Sequence, residues 1–347
     1  MKKLLLILFT LILGISASAK NKSERYMQAY KKYEDAKVPI KDKSIKNFVY
    51  FSHDREDIHN HPFLKNSNFQ GAQIMYSWKQ LETSKDIYDF SIIEEDLQYL
   101  KSHGKKLFIQ LQDKTFSTKR KAYPSYLEKP FYDNGGMYQR GDDGQPEGWV
   151  AKSWNPEVKK RFSKLLIALG KEFDGRIEGV NLQETAIGVS CKYDKTFTSK
   201  EYVQSIKDNM LALKKAFPKS VTMQYANFIP GEWLPWDDYG YLRSIYSYGE
   251  KIGVGIGGPD LMVTKKGQLN HTIAMMHEHS YTVPLGIAIQ DGNYIGQTNS
   301  IKIQKKRKNI VPMLHAFAKD FMKVNYIFWV DQKPYFKEDV LPSFSEK

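Results

Sequence analysis

The sequence predicts an α/β chain folded as a single (β/α)8 barrel, and three observations predict it. Eight short runs rich in β-branched and aromatic residues, at 47–52, 71–78, 106–111, 177–183, 221–225, 252–256, 284–289 and 324–330, alternate with amphipathic helical stretches. That alternation is the pattern of a parallel sheet covered by helices. The 347 residues leave room for eight such units, since a closed barrel takes about 250 residues. Residues able to do chemistry collect where the runs stop, and in such barrels that face carries the active site. An open doubly wound sheet is the alternative reading of the same alternation.

The chain opens with a targeting pattern. Lys2 and Lys3 precede an apolar stretch at 4–15, and Ala17-Ser18-Ala19 supplies the small-x-small step of a cleavage site. The stretch is short for a bilayer span. The expectation is a signal peptide over 1–19, cut near Ala19, with export to the periplasm or beyond and no stable membrane anchor. A basic lead-in follows over 20–46, and the barrel domain occupies 47–347.

The helices carry their own signals. Ser91-Ile-Ile-Glu94 has the spacing of a capping box, with Ile93, Leu97 and Leu100 on one face and Gly104 as the stop. Asn155 caps the next helix, with Pro156 in its first turn and Val158, Phe162, Leu165 and Leu169 inward. Ser199 starts a third, with Tyr202, Ile206, Met210 and Phe217 inward, and Pro312 opens the helix before the last strand. These stripes read as core.

Composition excludes several classes. Cys191 is the single cysteine, so no intramolecular disulfide forms. The formal charge of +13 sits largely in lysine-rich stretches at 20–46 and 302–308. A solvated surface accounts for it, and an anionic glycan would suit it as a partner. No helix-turn-helix, RNP-type or zinc-finger pattern occurs, so a nucleic acid is not expected.

At the strand ends stand carboxylates, amides and rings. Glu184 ends the fourth run, Asp260 follows the sixth and Asp291 the seventh. Two carboxyls flanking one bond are what glycoside cleavage requires: one protonates the leaving oxygen, and the other attacks or activates water. Burial and a neighbouring carboxylate would raise the pKa of Glu184 into the range of a general acid. Gln183, Gln112, His53, Tyr225 and Asn227 stand at other strand ends, and Trp233 lies in the Pro230–Trp236 loop. Amides and aromatic faces match sugar hydroxyls and the apolar face of a pyranose. The long loop 112–154, rich in Gly, Tyr and Asp, is expected to carry specificity.

Trp78-Lys-Gln-Leu-Glu82, Asp86-Ile-Tyr-Asp-Phe-Ser91 and Lys105-Lys-Leu-Phe-Ile-Gln-Leu-Gln112 resemble strands two and three of clan A glycoside hydrolases, of the cellulase and family-forty-two β-galactosidase type. Trp154-Asn-Pro-Glu-Val158 and Gly179-Val-Asn-Leu-Gln-Glu184 resemble the approach to strand four. The resemblance implies a (β/α)8 barrel that hydrolyses O-glycosidic bonds, with Glu184 as general acid/base and Asp291 as nucleophile or base. It implies that Trp329 floors the subsite next to the cleaved bond, with Trp78 at the same mouth. Three departures stand out: Lys85-Asp86 replaces a glycine step, Gln183 an asparagine, and Asp291 a glutamate.

Other motifs are weaker. His53, His59 and His61 resemble the start of an amidohydrolase metal site, but the strand-five and strand-six histidines of such a site are missing. Gly253–Gly258 matches GxGxxG without the helix that a phosphate cradle needs. No serine stands in a G-x-S-x-G context. No cofactor or metal is expected. The alternative function is a non-catalytic glycan-binding barrel that has lost its nucleophile.

Overall fold

The structure, a computed structural model, describes residues 24–290, 293–294 and 309–345. The putting-together of the eight runs is as expected from sequence. Strands β1 (Lys46–Tyr50), β2 (Phe69–Ser77), β3 (Lys106–Gln112), β4 (Gly179–Leu182), β5 (Val221–Tyr225), β6 (Gly255–Gly258), β7 (Leu285–Ile289) and β8 (Tyr326–Val330) pair in parallel in chain order. β8 pairs back onto β1, with Lys46 opposite Tyr326 and Tyr50 opposite Val330, so the sheet closes. The open-sheet alternative is thereby excluded.

Helices α1 (Ser91–Ser102), α2 (Pro156–Phe173), α3 (Ser199–Ala216), α4 (Tyr241–Ile252), α5 (Thr272–Glu278) and α6 (Ile310–Ala316) cover it. The stripes read from sequence are buried, including Ile93, Leu97 and Leu100 on α1 and Val158, Phe162, Leu165 and Leu169 on α2. Asn155 Oδ1 accepts from the amides of Glu157 and Val158 at 2.9 and 3.2 Å, the cap that its side chain predicts.

Two local expectations shift. Ser91 lies inside α1, and Asp89 Oδ1 accepts its amide at 2.9 Å, so Asp89 competes successfully for the role given to Ser91. Helix α3 starts at Ser199 as read, and Thr198 caps it, accepting from Glu201 N at 3.1 Å. The sixth run begins later than 252, because Ile252 closes α4 and Gly253 turns the chain at φ 77°. The left-handed region suits glycine there.

The barrel is filled in layers. Phe48 and Phe108, on strands that are not neighbours, meet at 5.9 Å, and Phe108 meets Phe328 at 5.0 Å, contacts possible only across the interior. β6 and β7 face these rings with glycine: a Cβ on Gly257 would come within 2.5 Å of the Tyr225 ring, and one on Gly286 within 2.8 Å of Met223. The glycines of the GxGxxG match answer to other constraints: Gly253 turns the chain at φ 77°, a Cβ on Gly255 would come within 2.5 Å of the Pro284 carbonyl oxygen, and one on Gly258 within 2.6 Å of the Thr272 side chain. Below, Glu178 accepts from Lys46, Lys106 and Tyr326 at 2.7–2.8 Å and closes the bottom.

The described part of the lead-in packs onto the barrel. Tyr33, Ile40 and Ile45 are buried, and only Ala29–Tyr33 is helical, as a 3-10 turn. No helix among the described residues is long and apolar enough to cross a membrane. The expected signal peptide, Asp291 and the basic stretch at 302–308 lie outside the described residues.

Candidate active site

Side chains on a strand alternate between faces. The interior rings Phe48, Phe108 and Phe328 therefore fix which later positions also point inward. Two residues beyond Phe48 is Tyr50, and two and four beyond Phe108 are Gln110 and Gln112. All three line a cavity of about 220 Å³ at the C-terminal mouth. Met75 enters from β2, Tyr225 from β5, and Ala288 and Gln290 from β7. Gln183 and Glu184 close the β4 side, and His53 the β1 side. Pockets for drug-sized ligands run to about 300–1,000 Å³, so this cavity has room for one ring-sized unit.

Its floor is a polar layer above the aromatic one. Gln73 Nε2 donates to Asn181 Oδ1 at 2.9 Å and to Tyr225 Oη at 3.0 Å. Burial raises the Tyr225 phenol well above its ordinary pKa, so it stays protonated. Gln110 is buried, and its Oε1 meets no donor among the described residues. A buried acceptor of this kind is costly unless a ligand or water supplies the proton.

Glu184 is the electrostatic centre. Burial raises its pKa; Asn227 Nδ2, donating at 2.7 Å, and the charge of Lys114 oppose this, while the charge of Asp260 adds to it. The net value is pushed up to about 7. At the other end of β4, Glu178 is also partly buried, yet donors from Lys106, Lys46 and Tyr326 overcome that burial and hold it down at about 2. Two glutamates flanking one strand thus titrate in opposite senses, because one sits among cationic donors that outweigh its burial, and the other is raised chiefly by burial, with the Asp260 charge adding to it.

The surroundings hold Glu184 in place. Lys114 Nζ donates to the Glu184 carbonyl at 2.8 Å and pairs with Asp113 at 3.3 Å. Gln183 Oε1 accepts the Lys114 amide at 3.3 Å. Across the mouth, Asn293 Nδ2 donates to Asp260 Oδ1 at 3.0 Å, and Asn293 Oδ1 accepts from Gln290 N and Leu261 N, each at 2.9 Å. Asn293 therefore orients Asp260. The Tyr50 phenol is raised by its burial and by the charges of Glu184 and Asp260, which places all three at one mouth.

Glu184, Gln183, Gln112, His53 and Tyr225 are brought together as the sequence suggests, with Asn227 acting on Glu184. Asp260 stands within electrostatic reach. Trp233 lies apart, in a neighbouring cavity of about 500 Å³ that shares Phe116 with the first. There it stacks on Phe228 at 5.5 Å, with 10° between the planes.

Trp329 and Trp78 are corrections. Phe328 points into the barrel, so alternation turns Trp329 outward. It is fully buried, donates from Nε1 to Asn47 Oδ1 at 2.9 Å and packs on Phe344. Trp78 has left the strand as the first residue of a short helix, Trp78–Leu81. Its Nε1 donates to Glu82 Oε2 at 2.7 Å, and its ring packs edge-on against Phe162 of α2. Glu82 is also bonded by Arg161 and by the Asp86 amide. The W-x-x-L-E segment is thus a brace outside the barrel, and Asp86, at φ 64°, fills the glycine step of the pattern.

Sequence reasoning passed over Tyr50, Asn293, Phe116 and Arg120. Tyr50 was within reach of the alternation rule, applied backward from Ser52. Phe116 and Arg120 come from the front of the 112–154 loop, where no periodicity marks orientation. That loop builds a three-stranded antiparallel sheet of Lys114–Thr115, Gly136–Arg140 and Pro146–Ala151. Its 115–120 segment, and not the aromatic 132–138 segment, reaches the cavity. His59 stacks on Tyr99 while His61 faces Asp331. Among the described residues no group of three or more His, Cys, Asp or Glu converges as a metal site.

No family model matches the chain, and no curated protein matches it by sequence. Its likeness to solved structures is clear. A GH5_18 protein from Streptomyces cattleya, in complex with Manb1-4GlcNAc, superposes at a TM-score of 0.56 and 10% identity, covering 82% of this chain and 70% of that one. The catalytic domain of β-amylase from Paenibacillus polymyxa gives 0.53 at 9% identity, covering 83% and 92%. Xylanase 10B from Thermotoga petrophila, in complex with xylobiose, gives 0.50 at 11% identity, covering 86% of each chain. The chain has the (β/α)8 fold of clan A glycoside hydrolases.

Proposed function

We propose that the protein is an exported glycoside hydrolase. Glu184 is its general acid/base, and the carboxylates at the ends of β6 and β7, Asp260 and Asp291, supply the partner. The observation that carries this reading is one carboxyl, half-buried at the barrel mouth within electrostatic reach of a second carboxylate and holding its proton to about pH 7. Such a group can protonate a departing glycosidic oxygen at neutral pH. The partner then attacks the anomeric carbon or deprotonates the water that does so. Water ends on the anomeric carbon and the proton from Glu184 on the leaving sugar. We assign the partner role to Asp291 first, two positions after Ile289 in the sequence, and to Asp260 the role of a carboxylate that adds to the effect of burial in keeping Glu184 protonated.

The test is release of new reducing ends from a glycan panel by the purified chain, with Asp291→Asn and Asp260→Asn alongside. Turnover by wild type, lost in Asp291→Asn, is expected. Loss only in Asp260→Asn would exchange the two roles, and tight binding without turnover would make the protein a glycan-binding barrel. The outward turn of Trp329 favours that second reading, since no β8 side chain floors the cavity.

Because the acid must be protonated, kcat/KM is expected to fall as pH rises through about 7. Lys114→Met removes a charge that favours the ionised form, so this limb should move to higher pH. A limb unmoved in the pH–rate profile would show that Lys114 does not act on Glu184.

A further inference from the structure

We infer that the sugar unit held in the barrel cavity carries an anionic group, a carboxylate or a sulfate ester, and that Arg120 is the residue that reads it. The inference rests on the carbohydrate reading above and adds the charge of the ligand. Arg120 lines the cavity from the 115–120 segment. Every other described arginine is committed: Arg25 to Glu278, Arg55 to Asp96, Arg161 to Asp86, Arg176 to Glu94, Arg243 to Asp238, and Arg140 to the Gly144 carbonyl. The Arg120 guanidinium has no side-chain partner among the described residues. A planar fork of five donors, left unspent at a cavity mouth, matches a carboxylate or sulfate oxygen pair.

The rest of the lining suits the same ligand. Among the described residues, Arg120 is the one arginine or lysine on the cavity wall. His53 stays neutral beside it, since burial and the Arg120 charge both lower its pKa. Deeper in, Gln110 Oε1 offers a buried acceptor for a sugar hydroxyl. The cavity thus holds one cation, the exposed Arg120, at its rim together with the carboxyl of Glu184, and hydroxyl-matching groups inside.

The neighbouring cavity is acidic. Asp142, Glu147 and Asp237 line it around the stacked Phe228 and Trp233 rings. A ligand charged on every ring would set an anion against these carboxylates. The geometry therefore fits a glycan whose acidic unit is followed by an uncharged one, and disfavours a homopolymer of uronic acid.

The test compares binding of glucuronate with glucose, galacturonate with galactose, and galactose 6-sulfate with galactose, by NMR titration of the purified chain at low salt. The acidic member of at least one pair is expected to bind about tenfold more tightly or better. Arg120→Gln should abolish the difference and leave the neutral sugars unaffected. Lys101→Gln, an exposed lysine on α1, should change nothing, which separates a local reader from the general positive charge. Preference for the uronates or for the sulfate identifies the group, and either supports the inference. Equal binding of all pairs, no binding of the acidic sugars, or a preference that survives Arg120→Gln overturns it. Hydrolysis of neutral glycans with no effect of Arg120→Gln would sink this inference and leave the hydrolase reading standing. Selective binding of acidic sugars by a chain that cleaves no glycan would do the reverse.

Discussion

Glu184→Gln is expected to lower kcat/KM by about 10²–10⁴-fold, the usual contribution of a positioned acid, and at the same time to stabilise the fold above neutral pH. The sign of the second effect follows from the pKa. In the unfolded chain Glu184 ionises near its ordinary value of 4.5, and in the folded protein at about 7. Below about 4.5 both states are protonated, so no penalty exists. Between these values the unfolded state loses its proton first, and stability falls as pH rises until both states are ionised above 7. The penalty there is on the order of 3–4 kcal/mol at most, since a pKa unit corresponds to about 1.4 kcal/mol. Glutamine removes it. Denaturant titrations at pH 8 and pH 4.5 should find the variant more stable than wild type at the first and level with it at the second. A variant that keeps full activity, or gains stability equally at both pH values, would contradict this.

Arg161→Met is expected to cost about 3–5 kcal/mol, the range for a buried ion pair that loses one member. Glu82 is fully buried, and Arg161 also donates to Asp86 at 2.8 Å and to Tyr126 at 2.9 Å. With the guanidinium gone, the Glu82 charge remains between α2 and the segment after β2 without a cation, held by neutral donors such as Trp78 Nε1 and the Asp86 amide. Arg161→Lys should rescue part of the loss, since one ammonium cannot serve three partners. The brace lies outside the barrel, so kcat/KM per folded molecule should be unchanged. A loss under about 1 kcal/mol in urea unfolding would mean that the pair is not structurally important.

The eight strands were legible because each carries a short β-branched or aromatic run and each helix a stripe of one period. What those runs did not reveal was which face of a strand looks inward. Trp329 and Phe328 are adjacent and both aromatic, and only the register that places Phe328 against Phe108 decides between them. Trp78 misled for a related reason: a conspicuous indole at a strand end had already turned into a helix. Glu184 was readable because it follows an apolar run at the end where such barrels do chemistry. Arg120 was not, because a loop has no period, and its meaning comes from the absence of a partner in three dimensions. The likeness in the W-x-x-L-E segment reflects how the barrel is braced outside the cavity.

Carboxyl ¹³C NMR of the glutamate-labelled protein, followed from pH 3 to pH 9 with Glu184→Gln to assign the resonance, addresses the site most directly. One glutamate, missing from the variant, should titrate near 7, and Asp260→Asn should move it down by removing the neighbouring charge. A Glu184 resonance that titrates at the ordinary value of about 4.5 and ignores Asp260→Asn would contradict the half-buried, proton-holding acid on which the proposed chemistry depends.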